Sequence, residues 1–271
     1  MIDLHCHLLH GLDDGPRSLE ESLEMARLMV ADGIGVAACT PHIMPGVFNN
    51  DGPTIRERVA RLQEELDRAG VPLTLVAGAD VHMAPNLTGA LRSGAALTIH
   101  DSGYVLIEPP HHVPPPRIDE AFFDLMAAGY QPILTHPERL TWIERKYDAI
   151  ERLFAAGVWM QVTAGSLLGD FGPAPKHWAE RILDAGMCHI LATDAHNPTR
   201  RPPRLRAGFE AAKARVGLDE AINLVVHRPF GILENRGVSA MPPPVGAVVT
   251  EAERKPRDFW RRVLKMPGRE R

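Results

Sequence analysis

Short apolar segments typical of buried β-strands alternate with helical segments along residues 1–226. Seven strands are predicted there, near residues 2–5, 35–40, 72–80, 104–108, 132–135, 158–163 and 189–193. The stretches between them have helical periodicity, and Ser18 and Thr54 are the predicted N-caps of the first two helices. Strands that alternate with helices pair in parallel through right-handed crossovers, which predicts an α/β fold. A count of seven favours a barrel over an open sheet, and the sequence is compatible with both.

Side chains that bind metal ions follow almost every predicted strand. His5 and His7 are two positions apart at the end of the first strand, so they project to the same side of it. In a β/α barrel the carboxyl ends of the strands meet on one face, where active sites lie. The candidate ligands are His5, His7, Asp14, His42, Asp80, Glu108, His136, Asp194 and His196.

Each candidate ligand taken alone is better explained as a polar loop residue or a helix cap. Together they indicate a multi-metal site, because charged groups buried at converging strand ends need partners or metal ions. Five histidines and four carboxylates exceed the ligands that one ion requires. Mixed nitrogen and oxygen ligands suit Mn, Fe, Zn or Co better than Ca. Clusters of two or three such ions are typical of phosphoester hydrolysis.

Bulk properties exclude several classes of function. The formal net charge of -4 gives no sign of a nucleic-acid-binding surface. No apolar run approaches the ~18 residues of a transmembrane helix. Three cysteines, an odd and low number, are typical of a reducing compartment, so a cytoplasmic location is expected.

A cysteine nucleophile is not expected either. Cysteine-dependent tyrosine phosphatases place an arginine six residues after the nucleophile. Here that distance leads from Cys6, Cys39 and Cys188 to Leu12, Pro45 and Asp194.

Residues 1–240 are predicted to form one domain, followed by a C-terminal tail at 241–271. The tail opens with a proline-rich stretch, and residues 251–271 carry eight Arg or Lys and four Asp or Glu. Residues 258–265 combine aromatic and basic side chains. Two interpretations stay open for this tail: a disordered, solvated terminus, or a contact with a partner or with the inner face of the membrane.

Eight short motifs give the chain a resemblance to a known family. They are IDLHCH at 2–7, DDG at 13–15, TPH at 40–42, GAD at 78–80, LIE at 106–108, HPER at 136–139, AGSLLG at 164–169, and TDAHN at 193–197 followed by RPP at 201–203. Residues 1–235 resemble the PHP superfamily (polymerase and histidinol phosphatase). Within it they resemble the manganese-dependent bacterial protein-tyrosine phosphatases of capsule and exopolysaccharide operons, the CpsB/YwqE type. The resemblance implies a distorted seven-stranded, TIM-like barrel with a trinuclear metal site at the C-terminal strand ends.

The resemblance also implies a division of the ligands among two or three Mn²⁺ ions, although Fe, Co and Zn fit the same ligand types. The first ion takes His5, His7 and Asp194, the second takes Glu108 and His136 with Asp80 as the bridge between the two, and the third takes Asp14, His42 and His196. Arg139 and Arg201 are the expected catalytic residues, because a guanidinium fork matches phosphate oxygens. Arg200 is an alternative to Arg201, and a surface salt bridge is the alternative role for either arginine.

The chain departs from the family pattern at three places. Asp80 stands where the family usually has Glu, and the shorter side chain puts metal occupancy and rate in question. Thr163 stands where Asn is common, and residues 236–271 have no clear counterpart. His112 belongs to a loop motif that resembles one in the family, but a plain loop role is favoured for His111 and His112.

The resemblance implies hydrolysis of phosphotyrosine in proteins. The expected substrate is a membrane-associated bacterial tyrosine kinase that regulates capsule or exopolysaccharide synthesis. Two alternatives stay open. One is a small-molecule phosphatase of the histidinol-phosphate type, which a deep aromatic-lined pocket would favour. The other is a module that binds the kinase with little or no catalysis.

Overall fold

Nine β-strands lie within residues 1–246, the part of the chain that the computed structural model describes. They are β1 Ile2–Cys6, β2 Val36–Cys39, β3 His42–Ile43, β4 Thr74–Ala77, β5 Asp80–His82, β6 Tyr104–Glu108, β7 Gln131–Thr135, β8 Trp159–Thr163 and β9 Ile190–Ala192. One sheet has the order β1-β2-β4 and the other β3-β5-β6-β7-β8-β9. Every pairing between these strands is parallel, which confirms the predicted α/β class.

The predicted count of seven strands is not confirmed, because the structure has an additional short strand after the second predicted strand and a break within the third. β3 follows the second predicted strand, which was expected to end at residue 40, and the third predicted strand is divided into β4 and β5. Pro41 lies in the first gap and has no N–H to donate to a ladder. The interrupted strands still run side by side across the gaps, since Gly78 N donates to Cys39 O (3.1 Å) and Asp80 N donates to Pro41 O (3.3 Å). The chain thus passes from the smaller sheet to the larger one twice, at Pro41 and at Gly78, and the two crossings lie next to each other.

The first strand also lies beside the segment that follows the last one. Asp194 N donates to His5 O, and His7 N donates to Ala195 O, both at 2.8 Å. Cys6 and Ala195 form an isolated parallel bridge. The two ends of the barrel-like arrangement are therefore hydrogen-bonded to each other where candidate ligands sit.

Ten α-helices connect and cover the strands within residues 1–246. They are α1 Leu19–Asp32, α2 Gly52–Arg68, α3 Leu87–Ser93, α4 Ile118–Ala127, α5 Ile143–Ala155, α6 Ala164–Leu168, α7 Pro173–Asp184, α8 Leu205–Val216, α9 Leu218–Ile222 and α10 Arg228–Leu233. Ser18 caps α1 as predicted and accepts from Glu21 N. The cap of α2 is Asp51, which accepts from Thr54 N, so the prediction of Thr54 as the cap was wrong.

Both faces of the strands are buried. Leu4, Leu106, Ile133 and Ile190 belong to a small apolar cluster with residues from β1, β2, β4 and β6 to β9. Strand neighbours of Leu106, Ile133 and Ile190 belong to the larger cluster that the helices cover. Successive side chains of a strand point to opposite sides, and burial of both is expected for parallel sheets flanked by helices.

Arg228 fixes the proline-rich start of the predicted tail to the domain. The guanidinium is fully buried and donates to the Glu220 carboxylate and to the carbonyl oxygens of Pro242 and Pro243, all at 2.8 Å. It also donates to His189 O at 3.2 Å. One cation therefore satisfies an otherwise costly buried carboxylate and three carbonyl groups.

The basic-aromatic segment at 258–265 lies outside the described residues, and the domain boundary at 240 stays a prediction. Within residues 1–246, no helix combines the length and apolar character needed to cross a bilayer.

We expect Arg228→Ala to lower the free energy of unfolding by about 3–5 kcal/mol, because it leaves the buried Glu220 carboxylate without its cation. Urea unfolding followed by circular dichroism measures the change. Arg236→Ala is the matched control, since Arg236 pairs with Glu234 at the surface, and it should change stability by no more than about 0.5 kcal/mol. Equal effects of the two substitutions would contradict the role given to Arg228.

Candidate metal centre

The nine predicted ligands come together at the carboxyl ends of the strands. His5 lies in β1, His7 and Asp14 follow it, His42 is in β3, Asp80 in β5, Glu108 ends β6, His136 follows β7, and Asp194 and His196 follow β9. Apart from Asp14 and His42, each is at most 5% exposed. The parallel fold thus gathers residues that are up to 191 positions apart in sequence, from His5 to His196.

Two carboxylates lie between the imidazoles at the centre of the group. Asp80 Oδ2 is 3.5 Å from His5 Nε2 and 3.5 Å from His42 Nδ1. Asp194 Oδ1 is 3.5 Å from His5 Nε2 and 3.4 Å from His7 Nε2. Asp80 therefore lies between His5 and His42, and Asp194 lies between His5 and His7.

Two further sets flank this centre. On one side, Asp14 Oδ1 lies 3.6 Å from His42 Nε2 and 3.2 Å from His196 Nε2. On the other side, Glu108 Oε1 lies 3.7 Å from His136 Nε2. Donor atoms at these separations are close enough to bind the same metal ion. Asp14, His42 and His196 form one such group together with His7, and Glu108 and His136 form another together with His111.

Several buried polar atoms of this group have no hydrogen-bond partner within residues 1–246. Neither oxygen of Asp80 has a hydrogen bond, and the same holds for Glu108 Oε2, His42 Nδ1 and His196 Nε2. Buried polar atoms are almost always hydrogen-bonded, and leaving several of them unpaired in one place is costly. Nitrogen and oxygen donors without partners, all directed at the same space, fit divalent transition metals.

Two residues that the sequence analysis did not single out orient the histidines of β1. Asp13 Oδ2 accepts from His7 Nδ1 at 2.6 Å, and Gln161 Oε1 lies 2.9 Å from His5 Nδ1. With Nδ1 engaged, each ring presents Nε2 to the centre, which is the usual way in which a protein fixes a metal-binding histidine. Asp13 adjoins a predicted ligand in the DDG motif, but nothing in the sequence indicated which of the two aspartates faces His7.

Two of the predicted ligands have strained backbone conformations. His136 has φ +32° and Asp194 has φ +50°, both in the left-handed region that non-glycine residues avoid. Such conformations cost roughly 1–3 kcal/mol each and persist at functional sites when the surroundings enforce them. Here the strain turns both side chains toward the common space.

The two predicted phosphate-binding arginines lie together beside Asp194. Arg139 Nη1 and Arg201 Nη2 both donate to Asp194 Oδ2, the latter at 2.6 Å. The Phe171 ring lies beneath them, with its centroid 4.4 Å from Cζ of Arg139 and 5.6 Å from Cζ of Arg201. Buried Nε of Arg201 has no partner and is available as a donor. The neighbouring Arg200 is exposed.

A cavity of about 250 Å³ opens next to these arginines. Asp194, Arg201 and Phe171 form part of its wall, and Arg204, paired with Asp170 at 3.1 Å, stands at the same cavity. Phe171 is the aromatic member among the residues that line it. The cavity is thus cationic rather than aromatic.

The histidines of the group differ in their pKa values and therefore in their protonation. Burial and the nearby Arg139 charge lower the pKa of His136 to about 4, and burial and the His7 charge lower that of His196 to about 4. Burial opposes protonation of His7, but the carboxylates of Asp13 and Asp194 outweigh it and raise the pKa to about 10. At neutral pH, His136 and His196 are therefore ready to bind an ion, whereas His7 must first lose a proton.

Two histidines that are not among the predicted ligands also face the group. His111 Nε2 lies 3.1 Å from Glu108 Oε1, and His82 Nδ1 lies 3.6 Å from Glu108 Oε2. His82 is two residues after Asp80 on β5, so alternation along a strand would have indicated that the two face the same side. No comparable signal marked His111, because it lies in an irregular proline-rich loop.

Comparison with known proteins relates this centre to a family. Residues 1–234 match the family model described as capsular polysaccharide synthesis, CpsB/CapC. The tyrosine-protein phosphatase YwqE of Bacillus subtilis is 32% identical over 90% of this chain and 95% of its own. The tyrosine-protein phosphatase CpsB of Streptococcus pneumoniae is 26% identical over 86% and 98% of the two chains.

A solved structure gives the same relationship in three dimensions. It belongs to the crystal structures of YwqE from Bacillus subtilis and CpsB from Streptococcus pneumoniae, described as unique metal-dependent tyrosine phosphatases. It aligns with a TM-score of 0.85 and 32% identity, and covers 90% of this chain and 98% of the solved one.

We expect metal binding to strengthen as pH rises through the neutral range. In the metal-free protein the His7 pKa of about 10 keeps that imidazole protonated, and an ion must displace the proton. Release of one proton increases the apparent affinity about tenfold per pH unit below that pKa. Titration calorimetry with Mn²⁺ at two pH values, in buffers of different ionisation enthalpy, measures both affinity and proton release. A pH-independent affinity with no proton release would contradict this expectation.

Proposed function

The chain belongs to the CpsB/CapC family of capsular polysaccharide synthesis, and we propose that it is a metal-dependent hydrolase of phosphotyrosine in proteins. The observation that carries the proposal is the pairing of two features. Nine candidate metal-ligand side chains lie together, and two arginines border them through Asp194. Five of the nine, His42, Asp80, Glu108, His136 and His196, have buried donor atoms without a hydrogen-bond partner in the described part of the chain. Hydrolysis of a phosphate monoester uses both features: metal ions stabilise the attacking and leaving oxygens, and further cations bind the remaining phosphate oxygens.

The ligands are proposed to divide among three ions as the family resemblance implies, and the distances are compatible with this division. The first set is His5, His7 and Asp194, the second is Glu108 and His136 with Asp80 shared between them, and the third is Asp14, His42 and His196. Manganese is the proposed metal, and iron, cobalt and zinc suit the same donors. When bound, such ions lower the pKa of water and neutralise charge on phosphoryl oxygens.

Arg139 and Arg201 are the proposed phosphate-binding residues. Their shared bond to Asp194 Oδ2 and the Phe171 ring beneath them fix the guanidinium planes before substrate arrives. Free N–H groups, including Arg201 Nε, remain to donate to phosphate oxygens. Fixed donors act most strongly where charge accumulates in the transition state. The tyrosine leaving group, with a pKa of ~10, needs less proton donation than an alkyl alcohol would.

Arg201 is preferred over Arg200 for this role. Arg201 Nη2 donates to both Oδ2 (2.6 Å) and the carbonyl oxygen (3.1 Å) of Asp194. Arg200 lines the cavity but is exposed. Neither of the proposed phosphate-binding arginines has the surface salt bridge that was their alternative role, because their carboxylate partner is 2% exposed.

We further propose that the two sheets form one distorted seven-stranded barrel. The hydrogen bonds across the Pro41 and Gly78 gaps support counting β2 with β3 and β4 with β5. The bridge between Cys6 and Ala195 supports closure between β1 and β9. With these three joins, the strand order β1 to β9 returns to its start.

The proposed physiological substrate is a membrane-associated bacterial tyrosine kinase of capsule or exopolysaccharide synthesis. Support comes from the family description. The protein would then work in the cytoplasm, at or near the inner face of the membrane. The basic-aromatic sequence at 258–265 is a proposed contact there, and loss of liposome binding on removal of residues 247–271 would support it.

The small-molecule alternative finds less support in the cavity beside the arginines. Its wall is rich in arginine and contains Phe171 as its aromatic residue, whereas a histidinol-phosphate type of enzyme was expected to have a deep aromatic pocket. The purely binding alternative does not explain the unpaired buried donor atoms.

We expect metal-stripped protein to release phosphate from a phosphotyrosine peptide only after Mn²⁺ is added. Arg139→Ala and Arg201→Ala should each lower kcat/KM on the order of 100-fold or more, because each removes a donor from the phosphate. Arg200→Ala is the neighbouring control and should retain most of the activity.

Phosphoserine peptide and histidinol phosphate complete this experiment. Phosphate release from histidinol phosphate alone would replace the proposed function with the small-molecule one. No release from any substrate, with Mn²⁺, Fe²⁺, Co²⁺ or Zn²⁺ present, would support the binding module instead.

A further inference from the structure

Glu108 is surrounded by imidazoles on both of its oxygens. Oε2 lies 3.4 Å from His42 Nδ1 and 3.6 Å from His82 Nδ1. Oε1 lies 3.1 Å from His111 Nε2 and 3.7 Å from His136 Nε2. The ion assigned to Glu108 and His136 therefore has a further nitrogen donor beside it that the ligand set does not use.

His111 satisfies the geometric requirement for a ligand. Its Nε2, an oxygen of Glu108 and a ring nitrogen of His136 all lie within 4.8 Å of one another. Two donors on adjacent positions of an ion with bonds of about 2.1 Å are about 3 Å apart. The 3.1 Å and 3.7 Å separations from Glu108 are near that value, and the rings of His111 and His136 are 5.1 Å apart between centroids.

The surrounding structure holds His111 in this place. Its carbonyl oxygen accepts from both Thr141 N and Thr141 Oγ1 at 3.0 Å. The preceding carbonyl, that of Pro110, accepts from Trp142 Nε1 at 2.9 Å. The proline-rich loop is thus fastened to the segment directly after Arg139. The three hydrogen bonds and the neighbouring prolines fix the backbone that carries the His111 side chain, so less conformational entropy is lost when that side chain binds.

The position of Asp80 leaves the set of Glu108 and His136 with few ligands. Asp80 Oδ2 is 3.5 Å from His5 and from His42 but 3.9 Å from His136 Nε2. The shared carboxylate therefore lies closer to the other two ligand sets than to the set of Glu108 and His136. That set has only two protein ligands of its own, and a third donor raises the affinity of the ion most where ligands are fewest.

We propose that His111 is a further protein ligand of the ion held by Glu108 and His136. The proposal rests on the metal centre of the proposed function and adds a ligand to it. In the metal-free protein the same imidazole hydrogen-bonds to Glu108, and binding replaces that bond by coordination through Nε2.

The test compares His111→Ala with His112→Ala, using Mn²⁺ as the probe. His112 is the adjacent histidine and is exposed, which makes it a matched control. Equilibrium titration with Mn²⁺ should show one class of site weakened on the order of 10-fold or more in His111→Ala, with the other sites unchanged. His112→Ala should bind as the unsubstituted protein does. Pulsed electron paramagnetic resonance of the Mn²⁺ form should lose one histidine nitrogen coupling only in the first variant.

His111→Phe keeps a ring of similar size and removes the donor atoms, so it guards against a packing effect in His111→Ala. It should show the same loss of affinity with an unchanged melting temperature in the metal-free form. Unaltered Mn²⁺ affinity and nitrogen couplings in both variants, with phosphotyrosine hydrolysis intact, would overturn the role of His111 and leave the proposed function standing. If the unsubstituted protein neither binds Mn²⁺ nor hydrolyses phosphotyrosine, both proposals fail.

Discussion

The carboxylate of Asp80 is fully buried and neither oxygen has a hydrogen bond. A carboxylate in such a place is tolerated only among compensating charges, because removal from water is so costly. The nearby imidazoles hold its pKa well below the usual range despite burial. An anion that cannot be neutralised by a proton and is not hydrogen-bonded calls for a cation, and the whole arrangement of strand ends supplies the donors that such a cation needs.

The interruption of two strands is what brings Asp80 to that position. If the second and third strands ran on without a break, Thr40 and Gly78 would continue the smaller sheet. Instead the chain shifts at Pro41 and Gly78, and His42 and Asp80 begin new strands paired with each other. A Cβ on Gly78 would lie 3.1 Å from Thr40 Cγ2, so the close approach of the two gaps favours glycine there. The breaks at Pro41 and Gly78 therefore determine the positions of His42 and Asp80 in the candidate metal centre.

Much of this was accessible from the sequence, for identifiable reasons. The alternation of strand and helix has a strong periodic signal, and parallel strands carry their terminal residues to one face, so the candidate ligands followed from their positions. The prediction ended the second strand at Thr40 but gave no sign of β3 after Pro41. The break at Gly78 was missed because Gly78 lies within residues 72–80, which were predicted as one continuous strand. The caps show the same limit: Asp51 and Thr54 are both good capping residues, and only the packing of α2 decided between them.

Contacts from outside the strand ends were the least predictable part of the site. Gln161 lies within a strand and faces His5 from the inside, a position where a polar residue was read only as part of a buried run. His111 depends on how a proline-rich loop folds back on Thr141 and Trp142. Tertiary packing and loop geometry determine such contacts, and the periodic spacing of apolar residues does not. A single sequence therefore gives no means of predicting them.

Asp194 joins the candidate metal-binding half and the proposed phosphate-binding half of the site through the two oxygens of one side chain. Oδ1 faces His5 and His7, while Oδ2 accepts from Arg139 and Arg201. Burial alone would raise its pKa, but the two guanidinium groups hold it well below the usual range. The carboxylate in turn lowers the cost of keeping two cations next to each other in a partly buried place. Its backbone is strained, with φ +50°, and its N–H is bonded to His5 O, so the side chain has little freedom to serve one half without the other. A phosphate bound by these arginines, as proposed, would therefore be held at a fixed distance from the candidate metal ligands, which is the positional constraint that in-line transfer of a phosphoryl group requires.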